Sequence, residues 1–309
     1  MRHPELSIYY LKIPKLKVGQ IIIKIPDSKN FFVDLSVEVY SSNKTKHVRN
    51  HYYTNIPQSR IATFDVYSFG LKKHHVNALL EFDVTESRRK LSNLRKNGTN
   101  ISFNAWLIKA ISRALEKHPE VASFLYSKKK LITFKEHNIS FLVEKQIGDQ
   151  RVPLPMVIEQ VNLKSALDVS REIEHVKNQM ITNKDVVLDK KSTMYERLYY
   201  HLPGFLRRMI WRYILNHPKF AYKKMGNVAI TSPGMMGKVN GWFIHRSIHP
   251  ISFGIGSVLK KPAVVDNEIK IREMLNMTLL IDHDVIDGAP MVRFLKELTK
   301  NIEMGAELG

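Results

Sequence analysis

Residues 279–290, Leu-Leu-Ile-Asp-His-Asp-Val-Ile-Asp-Gly-Ala-Pro, decide how this chain is interpreted. The apolar run that ends at Ile281 predicts a buried strand, and the apolar spacing over 291–304 predicts a helix. His283 therefore follows a strand end, where rigid backbone can hold an imidazole at a cleft, as a general base requires. Asp287 lies where a helix N-cap belongs. The alternative for the same residues is a core histidine followed by a capping aspartate.

The composition bounds the class of protein. The chain has 309 residues, of which 44% are hydrophobic, enough for one large domain with a proper core. It has no cysteine, which excludes disulfides, thiolate metal sites and a cysteine nucleophile. No signal sequence is visible and no apolar run approaches the roughly 20 residues of a membrane span, so we expect a cytoplasmic protein. The adjacent His74 and His75 would point to opposite faces of a strand, and we expect no metal site.

The net charge is +19 and the isoelectric point is near 9.8, which favours polyanions or acidic partners. The sequence shows no helix-turn-helix signature, no aromatic RNA-binding strand and no zinc-finger spacing, so nucleic acid is not the expected partner. A phosphate-bearing cofactor or an acidic carrier protein accounts for the sign of the charge equally well.

Predicted strands and helices are mixed along residues 59–309, which indicates an α/β sandwich. The patterns predict helices over 85–95, 101–117 and 165–180, strands over 77–84, 139–143, 152–161, 227–231 and 251–258, and a hairpin over 262–274 that turns at Asp266-Asn267. Residues 1–58 form an N-terminal extension of uncertain structure, with candidate strands inside 19–26 and 31–40.

Several segments resemble, in order, the catalytic domain of the dihydrolipoamide acyltransferases of 2-oxoacid dehydrogenase complexes. The clearest are LEFDVT (80–85), SFNAWLIKA (102–110), RVPLPMVI (151–158), AITSPGMMG (229–237) and the His-x-x-x-Asp-Gly pattern that begins at His283. The last pattern is shared with the chloramphenicol acetyltransferases. The resemblance covers roughly residues 59 to 309. It implies a chloramphenicol acetyltransferase-like two-layer sandwich, a mixed sheet with helices packed on one face.

The resemblance implies CoA-dependent transfer of an acyl group between CoA and a thiol such as dihydrolipoamide. Thioester exchange needs a base, because an unperturbed thiol has a pKa of about 8.5, and His283 is the candidate. The resemblance also implies a hydroxyl donor for the tetrahedral oxyanion. Thr231 matches that position, with Ser232 as a second candidate. Asp287 is expected to order the loop that holds His283.

Two glycines complete the candidate substrate site. Gly234 is expected to permit a tight turn beside the acyl site, and Gly288 to let backbone pack closely behind the catalytic loop. The resemblance further implies a homotrimer with each active site between subunits. CoA would enter one end of a channel, and a lipoyl group, carried here on a separate protein, would enter the other.

The sequence also departs from the family pattern. Asp284 stands where the family commonly has arginine, which reverses a charge beside the histidine. No lipoyl domain or subunit-binding domain is recognised ahead of the catalytic part. Two further hypotheses therefore stay open. One is acyl transfer to a small hydroxyl, an amine or an acyl carrier protein on the same fold, and the other is a non-catalytic oligomeric scaffold.

A basic, aromatic, helical insertion is predicted over about 182–225. Its second helix should follow Pro203-Gly204 and bury one set of side chains, with three arginines outside. The buried set is Phe205, Leu206, Met209, Ile210 and Tyr213, and the outer set is Arg207, Arg208 and Arg212. The insertion could pack on its own domain, could dock a partner or reshape the substrate channel, or could lie on an anionic membrane through residues 195–215.

Overall fold

The fold was analysed in a computed structural model that describes residues 21–22, 38–39, 52–54, 56, 59–147, 150–178, 198–235 and 237–308. The chain divides into two compact units, 1–56 and 57–309. In the first unit, β1 (Ile21–Ile22) pairs antiparallel with β2 (Glu38–Val39). The remainder of the two N-terminal strand predictions, and residues 182–197 of the predicted insertion, lie outside the described residues.

The helices of the second unit are α1 (Ser59–Gly70), α2 (Thr85–Lys96), α3 (Phe103–Lys117), α4 (Ala166–Asn178), α5 (Gly204–Asn216), α6 (Pro218–Met225) and α7 (Gly288–Glu303). Its strands are β3 (His75–Asp83), β4 (Phe124–Ser127), β5 (Lys130–Ile132), β6 (Ile139–Ile147), β7 (Gln150–Ile158), β8 (Val228–Thr231), β9 (Ile251–Val265) and β10 (Glu268–Asp282). Within the described ranges, every helix is too short or too polar to cross a membrane.

Six of these strands form one mixed sheet in the order β3-β10-β9-β8-β6-β7. The long strand β10 pairs antiparallel with both β3 and β9. The short strand β8 runs parallel to β9 on one side and to β6 on the other, and β6 pairs antiparallel with β7. The mixed sheet predicted from the sequence is therefore confirmed.

The hydrophobic core lies between this sheet and a helical layer centred on α3. Ser102 caps α3, since its side chain accepts a hydrogen bond from Ala105 N. Helix α3 is buried along most of its length and contacts both α4 and α7. Trp106 on α3, Phe253 on β9 and Phe294 on α7 are fully buried in the same cluster. The predicted two-layer sandwich is confirmed.

Strands β9 and β10 form a long hairpin that carries the chain to the candidate site. The hairpin turns at Asp266 and Asn267, whose φ angles are 53° and 63°. Two central residues with positive φ define the hairpin turn that matches strand twist, and Asp and Asn tolerate that conformation. The predicted turn is confirmed. The strands predicted over 251–258 and 277–281 are the far ends of β9 and β10.

Helix α5 belongs to the predicted insertion, and the prediction of its buried side was wrong. Phe205, Met209 and Tyr213 are exposed, whereas Arg207 points inward. Arg207 points inward because it pairs with Asp65, an acidic residue on α1. The sequence pattern of α5 alone could not reveal this partner.

Asp65 is almost fully buried and joins α1 to the insertion. Its Oδ2 atom accepts hydrogen bonds from Arg207 Nε at 2.7 Å and from Tyr199 Oη at 2.6 Å. Trp211 Nε1 donates to the same Tyr199 hydroxyl at 2.9 Å. Burial, together with the hydrogen bond to Asp65, raises the pKa of Tyr199, so the phenol stays a protonated donor.

We predict that Asp65→Asn lowers the free energy of unfolding by about 2 kcal/mol, because it leaves the largely buried Arg207 without a compensating charge. Urea denaturation followed by circular dichroism would measure the change. Asp266→Asn is the matched control, since Asp266 is exposed at a hairpin turn where Asn is equally suitable, and it should change stability by less than about 0.5 kcal/mol. Equal effects of the two substitutions would contradict the assigned role of Asp65.

Candidate active site

His283 is the first residue after β10 and begins a short turn at the end of the strand. Its backbone N–H donates to His74 O at 3.0 Å, which ties the end of β10 to the residue before β3. Its side chain is 49% exposed. The structure therefore fixes the backbone of His283 while leaving the imidazole open to solvent, and its location at a cleft stays a prediction.

A buried ion pair lies directly behind His283. The Asp282 side chain is fully buried, and its Oδ2 atom accepts a hydrogen bond from Lys73 Nζ at 2.7 Å. Asp282 N donates to Pro250 O at 2.9 Å, and Asp284 N approaches the other carboxylate oxygen at 3.3 Å. Sequence reasoning missed this pair. Its partners are separated by 209 residues, so no local pattern could join them.

Asp284, which replaces the usual family arginine, is paired with a second exposed histidine. Asp284 Oδ1 lies 2.9 Å from His74 Nδ1, and this hydrogen bond and charge raise the pKa of His74. His74 itself is largely exposed. The carboxylate of Asp284 is therefore paired with His74.

Asp287 occupies the N-cap position of α7, as predicted, but its side chain caps nothing. The carboxylate is 90% exposed and its Oδ1 atom is 3.9 Å from His283 Nδ1, too far for a hydrogen bond. Its expected role in ordering the loop thus rests on this 3.9 Å contact with His283. The expectation for Gly288 was also wrong, since a Cβ at that position would meet nothing within 4 Å.

The two candidate oxyanion donors, Thr231 and Ser232, lie where β8 ends. Thr231 ends the strand and is partly exposed, while Ser232 Oγ is buried with no hydrogen-bond partner among the described residues. A Cβ on Gly234 would lie only 2.0 Å from the carbonyl group of Gly256. Only glycine fits this close approach to β9. Glycine is thus needed here for close packing against a neighbouring strand, and its role beside the acyl site stays a prediction.

Thr231 and His283 of one chain lie far apart. Thr231 pairs with Gly254 on β9, and Gly254 pairs with Thr278 on β10. His283 comes five residues after Thr278. At about 3.3 Å per residue and about 4.8 Å per strand, the two residues are roughly 16 Å apart along the strands and roughly 10 Å across them. They cannot contact the same carbonyl group within one chain.

Two buried histidines stand near the site but stay neutral. His249 Nε2 donates to Met225 O at 2.9 Å, and burial lowers the pKa of His249 to about 4. His245 Nε2 lies 2.6 Å from Ser252 Oγ, and burial lowers the pKa of His245 to about 4 as well. In the described ranges, no cluster of three or more His, Asp or Glu is placed to hold a metal ion.

A mixed α/β sandwich with a histidine at a strand end is the arrangement that the resemblance to acyltransferase catalytic domains implied. The chain belongs to the family described as 2-oxoacid dehydrogenases acyltransferase (catalytic domain), whose sequence model matches residues 69–187 and 221–309. The resemblance stated from the sequence is confirmed. Residues 188–220, which include α5, fall between the two matched segments.

Relatives and solved structures agree with this assignment. The lipoamide acyltransferase component of the Bacillus subtilis branched-chain alpha-keto acid dehydrogenase complex is 24% identical over 235 residues, covering 74% of this chain and 46% of that protein. The dihydrolipoyllysine-residue acetyltransferase component of the Mycoplasma pneumoniae pyruvate dehydrogenase complex is 26% identical over 258 residues, covering 83% of this chain and 51% of that protein. The chain thus spans about half the length of these curated relatives.

The solved structures show the fold. The probable dihydrolipoamide acetyltransferase of Listeria monocytogenes superposes with a TM-score of 0.59 at 22% identity, covering 83% of this chain and 96% of that chain. The dihydrolipoamide acetyltransferase of Azotobacter vinelandii gives a TM-score of 0.58 at 22% identity, covering 84% and 95%.

We predict that stability falls between pH 6.5 and pH 5, because His245 and His249 remain neutral in the folded chain but accept protons when unfolded. Each histidine should remove about 1.4 kcal/mol of unfolding free energy per pH unit in that window. Urea denaturation at several pH values would measure the slope. His249→Gln should lower the slope by about 1.4 kcal/mol per pH unit, with His245 still contributing, since the amide can still donate to Met225 O. The same substitution at the exposed His201 should leave the slope unchanged. An unchanged slope in His249→Gln would refute the prediction.

Proposed function

We propose that this chain transfers an acyl group between CoA and a thiol such as dihydrolipoamide, with His283 as the general base. The observation that carries the proposal is the presentation of His283, whose backbone is fixed by His74 while its imidazole is open to solvent. Family membership supports thioester chemistry, because the Bacillus subtilis relative is named a lipoamide acyltransferase component.

In the proposed reaction one proton moves onto His283 and then off it again. His283 takes the proton from the acceptor thiol, and the resulting thiolate attacks the carbonyl carbon of the CoA thioester. The tetrahedral intermediate then collapses as its bond to the CoA sulfur breaks. The departing thiolate receives the proton from His283, which returns the imidazole to its starting form. In reverse, the same steps load CoA with an acyl group.

The oxyanion of the intermediate requires a hydrogen-bond donor. We assign that role to the hydroxyl of Thr231, which is partly exposed, rather than to the enclosed Ser232 hydroxyl. Because Thr231 and His283 lie far apart within one chain, the donor must come from a neighbouring subunit. Solved relatives support such an arrangement, since one with a TM-score of 0.58 is the cubic core of a pyruvate dehydrogenase multienzyme complex.

A second relative supports the choice of residues. The Azotobacter vinelandii structure accompanied an enzymatic investigation of a serine, a histidine and an asparagine in its catalytic mechanism. In this chain we place Thr231, His283 and Asp287 in the corresponding roles. The positive net charge of +19 would attract the phosphates of CoA.

We predict that His283→Ala lowers the turnover of acetyl-CoA with dihydrolipoamide by between about 10²-fold and 10⁴-fold, because the acceptor loses its base. Thiol release from CoA would be followed in a colorimetric assay. His175→Ala, at an exposed position on α4, is the matched control and should retain full turnover. If His283→Ala keeps the wild-type rate in a folded oligomer, His283 is not the base.

We further predict that mixed oligomers recover activity. His283→Ala and Thr231→Ala should each be severely impaired alone. A site between subunits is intact when its histidine comes from a Thr231→Ala chain and its threonine from a His283→Ala chain. Random mixing in equal amounts therefore leaves about a quarter of all sites intact, and in trimers that contain both chains about a third of the sites are intact. Co-expression with two affinity tags would isolate the mixed oligomers, and a mixture no more active than its parents would exclude a site shared between subunits.

A further inference from the structure

Helix α5 presents an apolar stripe that the fold does not cover. Phe205, Met209 and Tyr213 follow each other at intervals of four residues, so they lie along one side of the helix. Their exposed fractions are 58%, 64% and 58%. Large apolar side chains aligned along one helix face, all more than half exposed, mark an interaction surface rather than scattered surface residues.

The same side of α5 is basic. Arg208 and Arg212 are exposed and flank the stripe, and Lys219 is exposed at the start of α6. The sequence contains no Asp or Glu at all between residues 197 and 265. The stripe therefore lies in a long segment that carries only positive formal charges.

The surface is anchored on α1 and lies outside the segments that match the family. The opposite side of α5 is anchored on Asp65 by Arg207, and the 2.9 Å hydrogen bond from Trp211 to Tyr199 reinforces that anchor. Residues 188–220 lie between the two segments that match the family. The face is thus a feature added to the catalytic domain, with a fixed orientation.

We propose that this face of α5, formed by Phe205, Met209, Tyr213, Arg208 and Arg212, binds the surface of an anionic membrane. Apolar and aromatic side chains beside arginines are the composition of helices that lie at the interface of anionic bilayers. A second copy of the chain that used the same face is a poorer occupant, because each copy would oppose Arg208 and Arg212 with the same two arginines. The proposal does not depend on acyl transfer.

The test is sedimentation of the full chain with vesicles of phosphatidylcholine alone and of phosphatidylcholine containing about 30 mol% phosphatidylglycerol, the second giving a negative surface. The expected result is co-sedimentation with the anionic vesicles only, which weakens as salt is raised. Failure to sediment with anionic vesicles at low salt would overturn the proposal. Activity plays no part in this assay, so its outcome is separate from that of the proposed function.

Variants then locate the surface. Phe205→Ser, Met209→Ser and Tyr213→Ser combined should lower partitioning by more than about tenfold. Arg208→Gln with Arg212→Gln should lower it by roughly thirtyfold. The matched control replaces Val264, Ile269 and Ile271 with serine, since these exposed apolar residues lie on the β9–β10 hairpin. Its binding should equal that of the wild type.

Two results would reassign the face. Equal partitioning of the α5 variants and the hairpin control would show that membrane binding lies elsewhere on the chain. A smaller oligomer in sedimentation velocity for the α5 apolar variant, with unchanged lipid binding, would assign the stripe to contact between copies. Circular dichroism of each variant would establish that it is folded, which the exposure of every substituted side chain leads us to expect.

Discussion

The pairing of β10 with a neighbour on each side is the constraint on which the rest of the structure depends. Side chains alternate along a strand, so a slip of one residue against β3 or β9 would exchange the core face for the opposite face. The register is fixed at one end by the Asp266-Asn267 turn and along the strand by buried residues such as Leu279. That register places His283 just beyond the end of β10. The candidate base is thus positioned by the core.

Electrostatics then holds the strand end in place. Asp282 is fully buried, and a buried carboxylate without a partner is strongly destabilising, so Lys73 is required beside it. The same segment supplies His74, whose carbonyl accepts from His283 N and whose ring binds Asp284. The chain before β3 therefore fixes the loop through both backbone and charge. The carboxylate of Asp284 is accommodated beside the strand end because the His74 ring stands opposite it.

The local part of this structure was accessible from the sequence. Helix α3 and the β9–β10 hairpin were predicted because apolar spacing and turn residues act over a few positions. The errors concern contacts across long separations. The inward turn of Arg207 depends on Asp65, 142 residues away, and the support beneath His283 depends on Lys73, 209 residues from Asp282. Asp287 was placed correctly at an N-cap, yet position alone could not show that its carboxylate leaves the helix uncapped.

The net charge of +19 bears on both proposals. A positive field raises the local concentration of any polyanion, whether the phosphates of CoA or the headgroups of a bilayer, and salt weakens both attractions. Charge alone therefore selects neither ligand. The choice of ligand comes from the side chains at each surface. At the end of β10 an exposed imidazole stands on a fixed backbone. On α5 an apolar stripe has no acidic residue near it in sequence. The same positive charge can thus attract CoA to the catalytic domain and a bilayer surface to α5.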